Sequence, residues 1–334
     1  MAANSSRRTR MQFDVVVLGG INIDYLVHGE TLPRPGDTVD GSEFLRAGGG
    51  KGANQAVAAA RLGARVAFIG RVGCDQPGDE LLDLLRKEGI DVHFTTRDPR
   101  AATGVALVMI DSSGEKQIMV APGANHHLSP REVGAAKGLI AGARVLLTQF
   151  EIPMRSVISA VRLAHSSGVK VVLDPAPPAA APRDLLKRVT VIRPNSAEAQ
   201  ALTGMKVNDE PSARKAARKL LSLGAGAVAT QAGDAGDLLV WPDGEACFAR
   251  LPVKAIDATG AGDAFAAGLA VALSEGRSWR EAGAFANAAA ALATTTFGAQ
   301  PAMPQRADVL RLMRRHKHGA EATAFTRRRK ATRS

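Results

Sequence analysis

The sequence predicts an α/β fold with a mostly parallel central sheet, and three observations carry that prediction. Short β-branched runs alternate with Ala-rich helical runs along most of the 334 residues. Hydrophobic residues make up 46% of the chain, enough for one large core. In the second half, polar residues stand directly behind strand-like runs, as they do where parallel strands open onto a ligand crevice.

Phe13 to Gly20 reads as a buried first strand with a Gly-Gly exit. Asn22 and Asp24 follow on an extended segment, which puts both side chains on one face. An amide beside a carboxylate suits sugar hydroxyls, although an Asx turn would use the same residues. Pro33, Pro35 and Gly36 mark a loop. Gly48-Gly-Gly-Lys-Gly-Ala-Asn-Gln55 then leads into a helix read as Ala53 to Leu62. It is no Walker A loop, since Gly52 stands where Ser or Thr is required, and it lacks the dinucleotide fingerprint. It brings one cation and one amide, on a flexible backbone, towards a cleft.

Arg65 to Gly70 is the next strand, and Gly78 to Gly89 an amphipathic helix. Thr103 to Asp111 and Glu115 to Ala121 form a hairpin around Ser112-Ser-Gly114. That hairpin could cover a site, pair with a second copy, or be a plain sheet edge. Strands at 145–150, 169–173 and 189–192 end at Glu151, Asp174 and Asn195, which makes these three residues site candidates. Glu198, three residues after Asn195, is either a capping-box partner or a carboxylate that reaches Mg²⁺ through water. A strand at 227–230 precedes Gln231-Ala-Gly-Asp-Ala-Gly236, a turn suited to phosphate.

Asp257-Ala-Thr-Gly-Ala-Gly-Asp263 feeds a helix read as Ala264 to Leu273, and a last helix spans 281–296. A Gly-rich turn at a helix N-terminus aims unpaired N–H groups at an anion. The residues leave Asp263 as either a helix cap or a base that takes a proton from an attacking hydroxyl.

Composition excludes several classes. No apolar stretch reaches the roughly eighteen residues of a membrane span, and the basic N-terminus lacks the apolar core of a secretory signal. Cys74 and Cys247 have no metal-ligand spacing, so we expect a reducing, cytoplasmic setting and no zinc site. The formal charge of +11 lies at the ends, with three Arg in the first ten residues and nine Lys or Arg against one Glu from Arg311 onward. Residues 11–310 are thus formally neutral. We read 1–12 and 318–334 as solvated tails rather than a nucleic-acid surface, because 4% aromatics offers little to stack on bases.

Two stretches about two hundred residues apart, Gly49-Gly-Lys-Gly-Ala-Asn-Gln55 and Asp257 to Asp263, resemble the two signatures of the PfkB carbohydrate kinase family. Asn22/Asp24, Thr103-Gly-Val-Ala106, Pro122-Gly-Ala-Asn125, Gln149-Phe-Glu151 and Asn195-x-x-Glu198 extend the resemblance, which runs from about Phe13 to Met313. The resemblance implies a three-layer αβα sandwich over 13–317, with a small β-sheet lid near 103–121 that also forms a homodimer interface. It implies transfer of the ATP γ-phosphoryl group to the 5-hydroxyl of D-ribose, with no covalent enzyme intermediate. Asn22, Asp24, Gly50, Lys51, Asn54 and Glu151 would hold the sugar. Asp263 would be the base, and Gly260, Ala261 and Gly262 the anion hole. Asn195, Gln231, Gly233, Asp234, Gly236 and Asn287 would lie along ATP, with Glu198 near Mg²⁺. Asp257 and carbonyls of Thr259, Ala293, Thr296 and Gly298 would hold a monovalent cation, K⁺, as activator.

Three positions depart from the family pattern. Its Thr before the Gly turn is Gln231 or a displaced Thr230, a Ser of the cation site is Ala302, and a His near adenine is Asn287. A sibling sugar or nucleoside kinase is the nearest alternative. A sugar sensor that puts basic tails on DNA is a more distant one, which the intact Asp263 and its Gly-rich turn oppose.

Overall fold

A computed structural model describes residues 13–316; the tails expected at 1–12 and 318–334 lie outside the described residues. In chain order the first strands are β1 (Phe13–Leu18), β2 (Asn22–Gly29), β3 (Gly41–Gly49), β4 (Val66–Gly73), β5 (Thr95–Asp98), β6 (Gly104–Ile110) and β7 (Lys116–Ala121). They continue as β8 (Ala143–Thr148), β9 (Lys170–Leu173), β10 (Val191–Ile192), β11 (Val228–Gln231), β12 (Asp237–Trp241) and β13 (Gly244–Phe248).

Nine strands form the central sheet in the order β13-β12-β11-β10-β9-β8-β1-β4-β5. From β11 to β5 every neighbouring pair is parallel; only the pairs β11–β12 and β12–β13 at one edge are antiparallel. Alternation along β1 divides the core. Val15 and Val17 pack with the Lys51–Arg61, Ala261–Ser274 and Trp279–Ala293 helices, while Val16 and Leu18 face the Met154–Ser166 and Glu210–Ser222 helices. The result is the expected three-layer αβα sandwich.

The register lines up the strand ends that matter. Leu18 pairs with Thr148, Thr148 with Leu173, and Leu173 with Ile192. The next residues, Gly19, Gln149, Asp174 and Arg193, therefore emerge side by side at the C-terminal edge of the sheet.

The second sheet is larger than the expected hairpin. Its order is β3-β2-β6-β7, with β2 and β6 parallel. The segment bearing Asn22 and Asp24 is thus part of the lid itself. One face of this sheet buries Leu26, Ala106, Val108 and Ile110. Elsewhere it leaves Phe44, Leu107, Ile118, Met119 and Val120 exposed.

Both signature helices start earlier than the sequence suggested. The first spans Lys51–Arg61, not Ala53 to Leu62, because Gly50 at φ 82° turns the chain directly out of β3. The Gly48-Gly49 pair is therefore strand, not flexible loop. The second spans Ala261–Ser274 behind Gly260 at φ 80°, so Ala261, Gly262 and Asp263 are its first three residues. The last matched helix is Trp279–Ala293, ending before Thr296.

Candidate active site

The first turn of the Ala261–Ser274 helix and that of the Lys51–Arg61 helix meet below the sheet edge. Asp263, only 4% exposed, accepts hydrogen bonds from Asn54 Nδ2 and Gln55 Nε2, both at 3.0 Å. The same Gln55 Nε2 donates to Asp174 at 2.8 Å, and Gln55 Oε1 accepts from Gln149 Nε2 at 2.6 Å. This amide relay fixes the Asp263 carboxylate in one orientation, as a positioned base requires. The structure gives Asp263 no role as the helix N-cap, since that residue is Gly260 with no side-chain cap.

The residues expected to hold a sugar converge on the same cleft. Lys51 N donates to Glu151 Oε2 at 2.7 Å, so one Glu151 oxygen serves the helix N-terminus. Asn22 Oδ1 accepts from Asn125 Nδ2 at 2.8 Å, and Asn125 is itself clamped by the backbone N–H and C=O of Ile21. Glycines make the room. A Cβ on Gly49 would overlap the Asp24 carboxylate, one on Gly104 would overlap the Asn22 amide, and one on Gly50 would lie 2.8 Å from Asn22 N. Among the described residues, Asp24 Oδ1, Asn54 Oδ1, Asp174 Oδ1 and Gln149 Oε1 are buried acceptors around this cleft with no donor. Buried acceptors left in this state call for a ligand rich in hydroxyl groups.

Charge is crowded here. Burial raises Asp24 to about 7, with Glu151 and Asp263 adding repulsion. Burial likewise raises Glu151 to about 7, against the attraction of Lys51. Asp174 is also pushed up by burial, with Lys51 and Arg193 opposing. Burial disfavours the Lys51 ammonium, yet Asp263, Asp174, Glu151 and Glu198 outweigh it and hold the group charged. Protonation-sensitive carboxylates around one fixed cation mark a functional cleft.

The residues expected along a nucleotide lie farther out. Asn195 and Glu198 form a full capping box: Asn195 N donates to Glu198 Oε2 at 2.7 Å, and Glu198 N to Asn195 Oδ1 at 2.9 Å. Both sequence readings of Glu198 remain compatible, because the carboxylate caps a helix and also faces Lys51 and Asp174 electrostatically. Thr230 is spent on the Pro194 carbonyl at 2.9 Å, so the exposed Gln231 is what precedes the turn. Gly233 carries φ 63° and Gly236 φ 98°, and Asp234 is exposed beside Arg250. Asn287 donates to the Ala249 carbonyl at 3.0 Å and lines a cavity of about 310 Å³ with Phe248, Leu251, Met313 and His316.

The Asp257 set departs from a free-cation site. Asp257 Oδ1 accepts from Lys116 Nζ at 2.6 Å and Oδ2 from Gly298 N at 2.9 Å; Lys116 Nζ also bonds Thr259 Oγ1. Asp257 is held below the usual carboxylate range despite burial, chiefly by Lys116 and Thr259. With an ammonium on its carboxylate and Ala302 in place of a hydroxyl, this arrangement does not fit K⁺ as a further ligand. Thr259 and Gly298 each donate a backbone N–H to Asp257 at 2.9 Å, whereas Ala293 ends the Trp279–Ala293 helix and Thr296 follows it in the chain segment leading to Gly298.

Gln55, Gln149, Asn125 and Arg193 escaped selection from sequence. Gln55 had a signal, being a wholly buried amide on an otherwise Ala- and Val-rich helix face. Asn125 and Gln149 lie in segments noted for other reasons, but their contacts are long-range and invisible to spacing.

The sequence profile described as pfkB family carbohydrate kinase matches residues 12–306. The chain is 40% identical over 303 residues to the ribokinase of Haemophilus influenzae, covering 91% of this chain and 99% of that one. It is 36% identical over 292 residues to the ribokinase of Staphylococcus aureus, covering 87% and 96%. Among solved structures it is similar to Arabidopsis thaliana ribokinase complexed with ribose and ATP, with TM-score 0.82, 33% identity and coverage of 91% and 99%.

Proposed function

The chain belongs to the pfkB family of carbohydrate kinases, and from that premise we propose that it carries out the ribokinase reaction. It transfers the γ-phosphoryl group of ATP to the 5-hydroxyl of D-ribose, giving ADP and D-ribose 5-phosphate. The observation that carries this reading is Asp263, held by Asn54 and Gln55 at the start of a helix, in a cleft where Asp24, Asn54 and Asp174 each keep a buried acceptor without a donor.

Ribose hydroxyls satisfy Asp24, Asn54 and Asp174, while Asn22, Gly50, Lys51 and Glu151 shape the rest of the sugar cleft. Asp263 takes the proton from the 5-hydroxyl as its oxygen attacks phosphorus. The N–H groups of Gly260, Ala261 and Gly262, with the helix dipole behind them, stabilise charge on the transferred group. Adenine takes the cavity beside Asn287, and the phosphates run past the Gly233–Gly236 turn and Asn195 towards the helix. Mg²⁺ suits this site because it binds through one or two carboxylates plus substrate phosphates and keeps much of its water. Glu198 would hold it through water, and the metal would neutralise charge between the β- and γ-phosphates.

Lys116 already supplies a positive charge at Asp257, so K⁺ competes with the lid for that carboxylate rather than completing an open site. The exposed apolar side chains of the lid suit a second copy of the chain as partner. Exposed, unpaired Cys74 and Cys247 suit the cytoplasm, where ATP is also available.

The test is ADP release with Mg²⁺ and ATP, comparing D-ribose, 2-deoxyribose, fructose and adenosine. Turnover that favours ribose supports the reading. Turnover on another acceptor alone moves the sugar assignment, and ribose binding without turnover on any acceptor overturns the catalytic one.

A further inference from the structure

The anion hole has a cation that the reaction scheme above does not use. Arg193 follows β10, is only 7% exposed, and crowds Gly262 so closely that a Cβ there would lie 2.7 Å from its Nη1. Its guanidinium sits over the ring of Phe265, one turn along the same helix, with Cζ 5.3 Å from the centroid. Its backbone N–H is tied to the Leu173 carbonyl at 2.8 Å, and Pro194 behind it restricts it to extended backbone. Among the described residues the guanidinium has no hydrogen-bond acceptor and no ion pair. Asp174 and Asp237 are near enough to interact electrostatically, but neither accepts from it.

None of the Arg193 side-chain nitrogens is fully cut off from solvent, so a guanidinium that is spent on no protein acceptor stays open to an arriving anion. Here it stands beside the first turn of a helix, where Ala261 N donates to the Ala258 carbonyl at 3.3 Å and the N–H groups of Gly262 and Asp263 come next. We propose that Arg193 is a catalytic residue that donates to the non-bridging oxygens of the γ-phosphoryl group during transfer. The inference rests on the kinase reading above. The sugar oxygen bonds to the γ-phosphorus as the bond from that phosphorus to the β–γ bridging oxygen breaks. The electron pair of that bond leaves on the β-phosphate of ADP, and the hydroxyl proton passes to Asp263. Charge spreads over the equatorial oxygens in between, and Arg193 lies where it accumulates. It also offsets Asp263, whose charge repels an incoming phosphate. Phe265 holds the guanidinium in place beforehand, so little reorganisation is needed during reaction.

The experiment compares wild type, Arg193→Lys and Arg193→Met by steady-state kinetics, thermal melting, and binding of ADP and a non-hydrolysable ATP analogue. Arg193→Met should lower kcat by about 100-fold or more and change KM for ribose by less than about 3-fold, as loss of a charge-stabilising donor does. Its affinity for the ATP analogue should fall by about 10-fold relative to its affinity for ADP. Arg193→Lys keeps the charge facing Asp174 and Asp237 but lacks the planar fork, and should recover only part of the rate. Full kcat in either variant, or equal loss of affinity for ADP and the analogue, overturns the proposal. If wild type itself turns over no sugar, the kinase reading fails instead, and the variants' relative affinity for the two nucleotides still decides whether Arg193 meets a terminal phosphate.

Discussion

Asp263 shows how much one residue depends on its neighbours. Its two oxygens are each fixed by an amide, and Gln55 shares its Nε2 between Asp263 and Asp174. Asp263→Asn keeps the size of the side chain and removes the proton acceptor. We expect kcat to fall by about 10³-fold while isothermal titration still detects ribose binding, in line with the loss of a positioned base. A variant that keeps most of the wild-type rate would remove Asp263 from the role of base. Gly49 makes the same point by absence: its missing side chain is the space that the Asp24 carboxylate occupies.

At the scale of the element, the lid is tied to the body by Lys116, which runs from β7 to Asp257 on the loop before the anion hole. Lys116→Met frees that carboxylate. Turnover of wild type is expected to change less than about 2-fold between K⁺ and choline buffers, whereas Lys116→Met should require K⁺ and lose about 10-fold without it, since a bound cation can replace the missing charge. Equal K⁺ dependence in both proteins would detach Lys116 from the cation's place. Light scattering tests the lid's outer face: a dimer is expected for wild type, and a monomer for Met119→Glu, whose parent residue is 73% exposed.

These elements also show what could be read in advance. The central strands were legible because each is a short apolar run with a polar residue behind it. The two signature turns were legible because glycines in a fixed pattern have few other uses. β3 was not, because its residues are mostly exposed and it ends in glycines, so nothing in its periodicity separates strand from loop. β12 and β13 were passed over at the sheet's antiparallel edge. The Lys116–Asp257 contact spans 141 positions and joins the small sheet to the loop before the Ala261–Ser274 helix, two parts that only the fold brings together.

For the molecule as a whole, the crowded carboxylates set a pH dependence. Burial pushes the Asp24 and Glu151 carboxyls up to about 7 in the folded chain, from ordinary values of 3.8 and 4.5. The folded state therefore binds more protons than the unfolded state between those values. Stability from these groups is fully present below about pH 4 and is lost as pH rises through 7. The ligand-free protein should melt about 2–5 °C higher at pH 5.5 than at pH 8, and Asp24→Asn should narrow the gap. A melting temperature that rises over this interval would contradict the raised values.

The lid touches both halves of the chemistry. β2 carries Asn22 and Asp24, proposed to hold the sugar, and β7 carries Lys116 to the loop that precedes the proposed phosphoryl site. Two ligands whose binding bears on one sheet are linked thermodynamically. Whatever factor ribose adds to the affinity for ATP, ATP must add to the affinity for ribose. If the sheet closed fully only with both ligands present, bound ATP would be poorly placed for attack by water while no sugar is in the cleft, and idle hydrolysis of ATP would be suppressed.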